Sequence, residues 1–486
     1  MLKDRGARAA SRGVREESAE VQETKKQAQL RKTVLCMLAR GQVGKAVRLI
    51  KSHGIAPMEE LWVRQAMAAK YPARGRDLPD SVTRGQCLDS LPRLRESILE
   101  LLPGVSPGFG GLRNEHLRVL AEVWGEQEMN RLETFSLRYL NAGLPKWLYV
   151  VWGSVTTVPL FKTEEQESLR PVGVKSSFLR LLHSRVVTGN RAALTSFLEP
   201  QQVALSRAGG FILVHGVRMQ VEQMKGKKDW VAVKLDISNA HNEVSRAAVV
   251  EVLENTPELR HLALFAATCL AGHQGLESRG EMWGRTGEGE TQGDPVAGPW
   301  FCVAWHPFVR ELDATLRAAG GGALFGNDDG YLIGPARVVF PSLDRFSAQI
   351  EETCLLKLQV SKTEVFSWET VLPPEVSQTM RRAGAMVEGT WEPGFMCYGI
   401  AVGSNVFVRQ KLEAKVDEVL SVVMRVKEVL GPKKDFQAIW CILRCSLCQM
   451  LDWQLSLNYP KDVAAPAERL DTALEVAGVC HLSPHP

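Results

Sequence analysis

Three carboxylates, Asp236, Asp328 and Asp329, have the residue type and spacing to do chemistry in this chain. Asp328 and Asp329 are adjacent in ALFGNDDGYLIG, between the apolar runs Ala323–Phe325 and Tyr331–Ile333. Like charges at the tip of an apolar hairpin repel each other and lose hydration. Asn and Asp before Gly are also ordinary turn residues, because they tolerate positive φ. A turn accounts for the residue types. A hard divalent cation such as Mg2+, which takes oxygen ligands, would account for the charges too, provided that a further carboxylate reaches the same surface. In WVAVKLDIS, Val231, Val233 and Leu235 alternate with Ala232, Lys234 and Asp236. That alternation predicts a strand with Asp236 at its C-terminal end, on the face opposite Leu235. Asp236 also suits a helix N-cap for the segment that follows, with Ser238 as the cap if Asp236 is used elsewhere.

Several elements must hold these groups in place. SVTTVPLFK (154–162) reads as a strand, 176–197 and 210–224 as helices, and 230–238 as the strand ending on Asp236. A helical segment follows Asp236. A Gly-rich loop, GHQGLESRGEMWGRTGEGETQGDP, then precedes the apolar helix VAGPWFCVAWHPFVRELDATLRAAG. After the carboxylate hairpin come a helix near 340–356, strands in LKLQVSKTEVFSW and MCYGIAVG, and a mostly helical tail from 407 to 458. Upstream, 1–30 reads as disordered or a frayed helix, 31–70 as a helix pair stopped by Gly54, YPARGRDLPD as a linker, and a helix starts near Asn114.

The chain has 486 residues, 45% hydrophobic and 23% charged, an ordinary globular balance with ample core. Net charge is only +4, which by itself selects no polyanionic partner. Residues 1–50 carry 12 Lys and Arg against 5 Asp and Glu, a basic arm suited either to phosphates or to a solvated helix face. The ten scattered cysteines suit reduced intracellular thiols. Cys441, Cys445 and Cys448 fall at i, i+4, i+7 of an apolar helix with no nearby His, which predicts core packing. No run is apolar and long enough for a membrane span, so the expectation is a soluble, intracellular chain in nucleus or cytoplasm, with no membrane partner.

Order and company then point further. The stretch 100–460 resembles the reverse transcriptase domain of non-LTR, LINE-type retrotransposons and related RNA-directed DNA polymerases. SPGFGGLRNEHLR resembles the opening of the fingers, and TVPLFKTEEQESLRPVGVKSSFLRLLH the two finger strands. EPQQVALSRAGGFILVHGVR resembles the template-side segment. KLDISNAHNEVSR, GETQGDPVAGPWFCVAW, GNDDGYLIG, LKLQVSKTEVFS and YGIAVG resemble motifs A to E in order, and AIWCILRCSLCQMLDWQL resembles the thumb.

The resemblance implies an α+β right-hand polymerase: a basic, helical extension and linker (1–99), fingers (100–229), a palm with an antiparallel sheet (230–403), and a helical thumb with the C-terminal tail (404–486). It implies primer extension with dNTPs on an RNA template from a DNA or RNA primer, using Mg2+ or Mn2+ in a two-metal-ion mechanism. Asp236, Ile237, Asp328 and Asp329 are the implied metal set, and Lys362 the implied general acid, although an exposed Lys in turn chemistry reads the same way. Lys162, Arg170, Ala240, His241, Gln292 and Gly293 are the implied nucleotide site, and Tyr398 and Gly399 the primer grip.

Three residues or pairs depart from the family pattern. Gly326–Asn327 stands where an aromatic and a small apolar residue are usual, which removes a packing ring beside the hairpin. His241 stands where an aromatic ring commonly blocks a ribose 2′-hydroxyl, which predicts weaker sugar discrimination. Phe109–Gly110 stands where Pro–Asp is usual. The sequence contains no endonuclease pattern, RNase H cluster or zinc knuckle, so an element-encoded endonuclease or other partner would lie outside this chain. Two alternatives accompany the polymerase reading: an RNA-directed RNA polymerase, and a catalytically inactive nucleic-acid-binding scaffold or decayed retroelement copy.

Overall fold

A computed structural model describes residues 19–359, 362–369, 393–431 and 435–479. The chain is a mixed α+β protein with largely antiparallel sheets. It divides into two compact units, Met1–Ser52 with Lys411–Pro486, and His53–Gln410. Residues 53–99 therefore pack within the larger unit instead of forming a separate extension with 1–52. The stretch YPARGRDLPD has no helix or strand, yet it is bound at several points. Arg74 donates to the carbonyls of Leu270 and Ala271 (2.9 and 2.6 Å). Glu288 accepts from the amides of Gly75 and Arg76, and Arg76 pairs with Glu251 at 2.9 Å.

In the larger unit, β1 (Val155–Phe161), β2 (Leu169–Val174), β5 (Gln274–Ser278) and β6 (Glu281–Thr286) form one sheet in the order β2-β1-β5-β6. Its pairs are antiparallel except β1–β5. The β5–β6 hairpin lies in the stretch expected to be a Gly-rich loop. Gly, Glu and Ser have poor strand propensity and hide the alternation, and pairing of Val155 with Leu276 imposes the strand from outside. The hairpin turns at Arg279–Gly280, with φ of 53° and 89°.

The second sheet runs β10-β3-β8-β7, antiparallel throughout: β3 (Trp230–Leu235), β7 (Gly322–Gly326), β8 (Asp329–Pro335) and β10 (Glu364–Phe366). Two short pairs adjoin it, β4 (Ile237–Ser238) with β9 (Lys357–Leu358), and β11 (Gly394–Cys397) with β12 (Ile400–Gly403). Val231, Val233, Leu235, Ala323, Phe325 and Leu332 enter the main core with Phe301 and Trp305 of helix Ala297–Ala318 and Phe340 and Phe346 of helix Ala336–Cys354. Each large side chain buried there stabilises the fold by about 2 kcal/mol. Asp236 is not a helix cap, and neither is Ser238. The hydroxyl of Ser245 accepts from the amide of Ala248 (3.3 Å) and starts helix Arg246–Asn255.

The smaller unit contains the expected helix pair, Ala19–Ala39 and Val43–Lys51, broken at Gly41 with φ 70°. Residues 19–30 continue that first helix, while 1–18 lie outside the described residues. Val34, Ala46, Val47 and Ile50 pack with Val416, Val419, Val426, Ile442 and Leu447, and Arg31 forks onto Asp435 at 2.6 and 3.0 Å. The cysteines contradict the core-packing expectation. Cys445 and Cys448 are exposed and Cys441 half-buried, while Ile439, Ile442, Leu443, Leu447 and Leu451 are buried. Ile439, Leu443 and Leu447 form a second apolar row on the opposite side of the helix, and it is this row that faces inward through the π-helical turn at Leu443–Leu447. Among the described residues no helix is long and apolar enough to cross a membrane.

Candidate active site

Register brings the carboxylates together. Leu235 of β3 pairs with Gly330 of β8, so one step further Asp236 lies opposite Asp329, on the face that carries Lys234 and Tyr331. Gly326 pairs with Asp329, leaving Asn327 and Asp328 as a two-residue tip with Asn327 at φ 61°. Asp329 is thus the first residue of a strand, and only Asp328 belongs to the turn. The glycines are sterically required. A Cβ at Gly330 would lie 2.4 Å from the Phe325 ring, and one at Gly326 would lie 2.7 Å from the ring of Tyr398.

Tyr398 supplies the aromatic group that Gly326 lacks. Its hydroxyl donates to the Gly326 carbonyl at 2.9 Å. Tyr398 and Gly399 turn β11 into β12 with φ of 49° and 77°, the signs of a tight two-residue hairpin turn. Burial, followed by the charges of Asp329 and Asp328, pushes the Tyr398 phenol up to about 12.

Negative charge at the tip is incompletely balanced. Burial first, then Asp328, with Asp236 and Glu364 adding to them and Lys234 opposing, pushes the Asp329 carboxyl up to about 6. Lys234 is held by Glu364 at 2.7 Å, and Lys362 Nζ bonds Asp236 Oδ2 at 2.9 Å. Lys162 falls below its ordinary value through burial and then the charges of Lys70, Lys362 and Arg170, with Asp236 opposing. Lys70, Lys362, Arg170 and Asp236 are therefore the charged groups that act on Lys162. Arg170 stands across β1–β2 from Leu160, and the Lys162 amide donates to the Ser168 carbonyl at 2.9 Å. Sequence reading missed Lys70, which has no motif around it; it is placed by Asn239, whose amide donates to its carbonyl at 2.9 Å.

Ala240 is buried and opens the short helix Ala240–Glu243. Beside it, His241 is edge-on to Phe301 (5.4 Å, 67°), with Nε2 3.4 Å from the Asn327 amide. Burial lowers its pKa while the charge of Asp328 opposes. Ile237 is buried in β4 opposite Leu358. Gln292 is half-buried and Gly293 exposed at φ 104°; their loop joins the cluster through the Glu290 amide, which donates to the His241 carbonyl at 2.7 Å. Phe109 and Gly110 line a different feature, a cavity of about 570 Å³ over β1 and the β5–β6 turn.

The donor set matches a hard divalent cation in chemistry: carboxylate oxygens beside uncompensated negative charge. Among the described residues, however, no three His, Cys, Asp or Glu side chains are already gathered as a coordination shell. Lys362 holds Asp236 instead. No protein-family model matches this chain, and no curated protein matches its sequence.

Proposed function

We propose that the chain is an RNA-directed DNA polymerase of right-hand architecture, extending a primer 3′-hydroxyl with dNTPs. The observation that carries this reading is the approach of Asp236 to Asp329 at the ends of β3 and β8, with Lys362 on Asp236 and with Lys162, also within reach of Asp236, beside Lys70 and Arg170. Negative side chains flanked by cations suit the transfer of a nucleotidyl group from a triphosphate, in which catalysis is mainly positioning and charge stabilisation. Asp236, Asp328, Asp329 and the Ile237 carbonyl would hold Mg2+, which when bound supplies charge that acidifies the primer hydroxyl and stabilises the displacement. Lys162, Arg170 and Lys70 bind phosphates, Arg170 with its planar fork. Lys362 moves from Asp236 to the departing pyrophosphate and protonates it. His241, beside the hairpin tip, faces the sugar, while Gln292 and Gly293 hold the nucleotide. The primer-side contact falls to Tyr398 and Gly399, and the thumb role to the helices of 404–486.

The Lys362–Asp236 ion pair favours a second reading, a nucleic-acid-binding scaffold in which a lysine has replaced the metal's charge. Primer extension on poly(rA)/oligo(dT) with dTTP and Mg2+, comparing wild type with Asp328→Ala, decides between them. Extension that the variant loses supports the polymerase; duplex binding without extension by either protein supports the scaffold.

A further inference from the structure

We infer that Lys175 is a positioning residue that bolts the nucleotide-binding loop Thr291–Gly293 to the finger strand carrying Arg170, an inference that rests on the polymerase reading above. Lys175 directly follows β2, five positions after Arg170. Its Nζ lies 2.6 Å from Glu290 Oε1 and 3.0 Å from Asp294 Oδ2, and all three side chains are at most 2% exposed. Glu290 and Asp294 flank Thr291–Gln292–Gly293, so one ammonium closes both ends of that loop.

The remaining bonds make the loop a single unit. Glu290 Oε1 also accepts from the Thr291 amide (2.9 Å). Asp294 Oδ1 accepts from the Val296 amide at 3.0 Å, and its two oxygens lie 2.9 and 2.8 Å from His183 Nδ1. His183 Nε2 in turn faces the Tyr139 hydroxyl at 3.1 Å. Burial disfavours the charge on Asp294, yet His183 and Lys175 hold it below the usual carboxylate range. The Glu290 amide donates to the carbonyl of His241. Under the loop, Gly173 of β2 has no room for a side chain, since a Cβ there would lie 1.8 Å from Thr291 Cγ2. Lys175 thus links three parts of the proposed nucleotide site that are far apart in sequence: Arg170 for phosphate, His241 for sugar, and Gln292–Gly293 between its two carboxylates.

A buried ammonium can serve stability alone, so the test needs a readout that stability does not move. Lys175→Met takes the ammonium from two buried carboxylates and can fail to fold; Lys175→Met/Glu290→Gln removes the nearest charge with it and leaves Asp294 to His183. In the full chain, this double variant should show amides 290–294 exchanging with deuterium at least tenfold faster than wild type, with the β3–β8 sheet unchanged. Its KM for dTTP should rise about tenfold or more, with kcat within about threefold. Unchanged loop exchange, or a loss confined to kcat, overturns the inference. If wild type extends no primer, the polymerase reading falls, and protection of 290–294 by added dTTP becomes the readout. Protection lost in the double variant then supports the positioning role. Protection that survives in the variant, or is absent from wild type, overturns it.

Discussion

Asp329→Asn should stabilise the larger unit at neutral pH while abolishing any chemistry that needs the carboxylate. The carboxyl is pushed from an ordinary 3.8 up to about 6, by burial first and Asp328 second. Two pH units at about 1.4 kcal/mol each correspond to about 3 kcal/mol. The group is partly open to solvent, so screening reduces the effect to about 1–2 kcal/mol. Its folded pKa lies above the unfolded one, so the protonated form's contribution is complete below about pH 4 and lost as pH rises through about 6. Asparagine keeps the shape and cannot ionise. The variant should therefore match wild type near pH 4 and exceed it by about 1–2 kcal/mol at pH 7.5. Urea unfolding of the full chain in EDTA, at a series of pH values, reads this from the midpoint at unchanged m. The buried Trp300 and Trp305 report on the larger unit by fluorescence. Added Mg2+ should raise wild type towards the variant at pH 7.5 and move the variant less. A variant no more stable than wild type at pH 7.5, or an advantage that persists unchanged at pH 4, refutes the reasoning.

Three further outcomes are expected. His241→Phe should increase discrimination of dTTP over UTP by about tenfold, equivalent to about 1.4 kcal/mol; competition of the two nucleotides in primer extension measures it, and an unchanged ratio removes His241 from the sugar site. Gly330→Ala forces a methyl onto the Phe325 ring and should destabilise the unit by about 1–3 kcal/mol, seen as a lower urea midpoint; an unshifted midpoint shows that the ring can move aside. In the native chain, Cys445 and Cys448 should react with a maleimide far faster than Cys302, Cys354 or Cys397. Mass spectrometry of timed samples assigns the sites, and slow labelling at Cys445 would restore the core-packed helix.

What was legible in the sequence was local and periodic. The alternation in VAVKLDIS predicts the strand, whose register with β8 runs from Trp230 to Leu235 and stops one residue before Asp236. NDDG marks a turn by residue type, although not that Asp329 lies in the strand and Asp328 at the tip. Failures arose where distant contacts override local pattern. β5 forms because β1 pairs with it and β6 because it pairs with β5, and composition alone reads both as loop. The cysteine row shares its helix with a second apolar row, Ile439, Leu443 and Leu447, and packing against the N-terminal helix pair selects that one. Lys70 joins the site through Asn239, a partner 169 positions away, and no local signal marks it. Asp294, within the stretch read as a Gly-rich loop, accepts from Lys175 and His183, which only the packed core brings within reach.

The contact between Tyr398 and Gly326 also constrains how this site can change over generations. The two positions occupy one volume: the ring fits because residue 326 has no side chain, and its hydroxyl needs the carbonyl beneath it. A side chain cannot be added at 326 while Tyr398 and Leu213 remain, and loss of Tyr398 leaves the Gly326 carbonyl without its phenol donor. Either substitution alone passes through a less fit intermediate, so the pair should be inherited as a unit. A lineage that acquired it is held to its own version of the hairpin, even if the chemistry beside it stays the same.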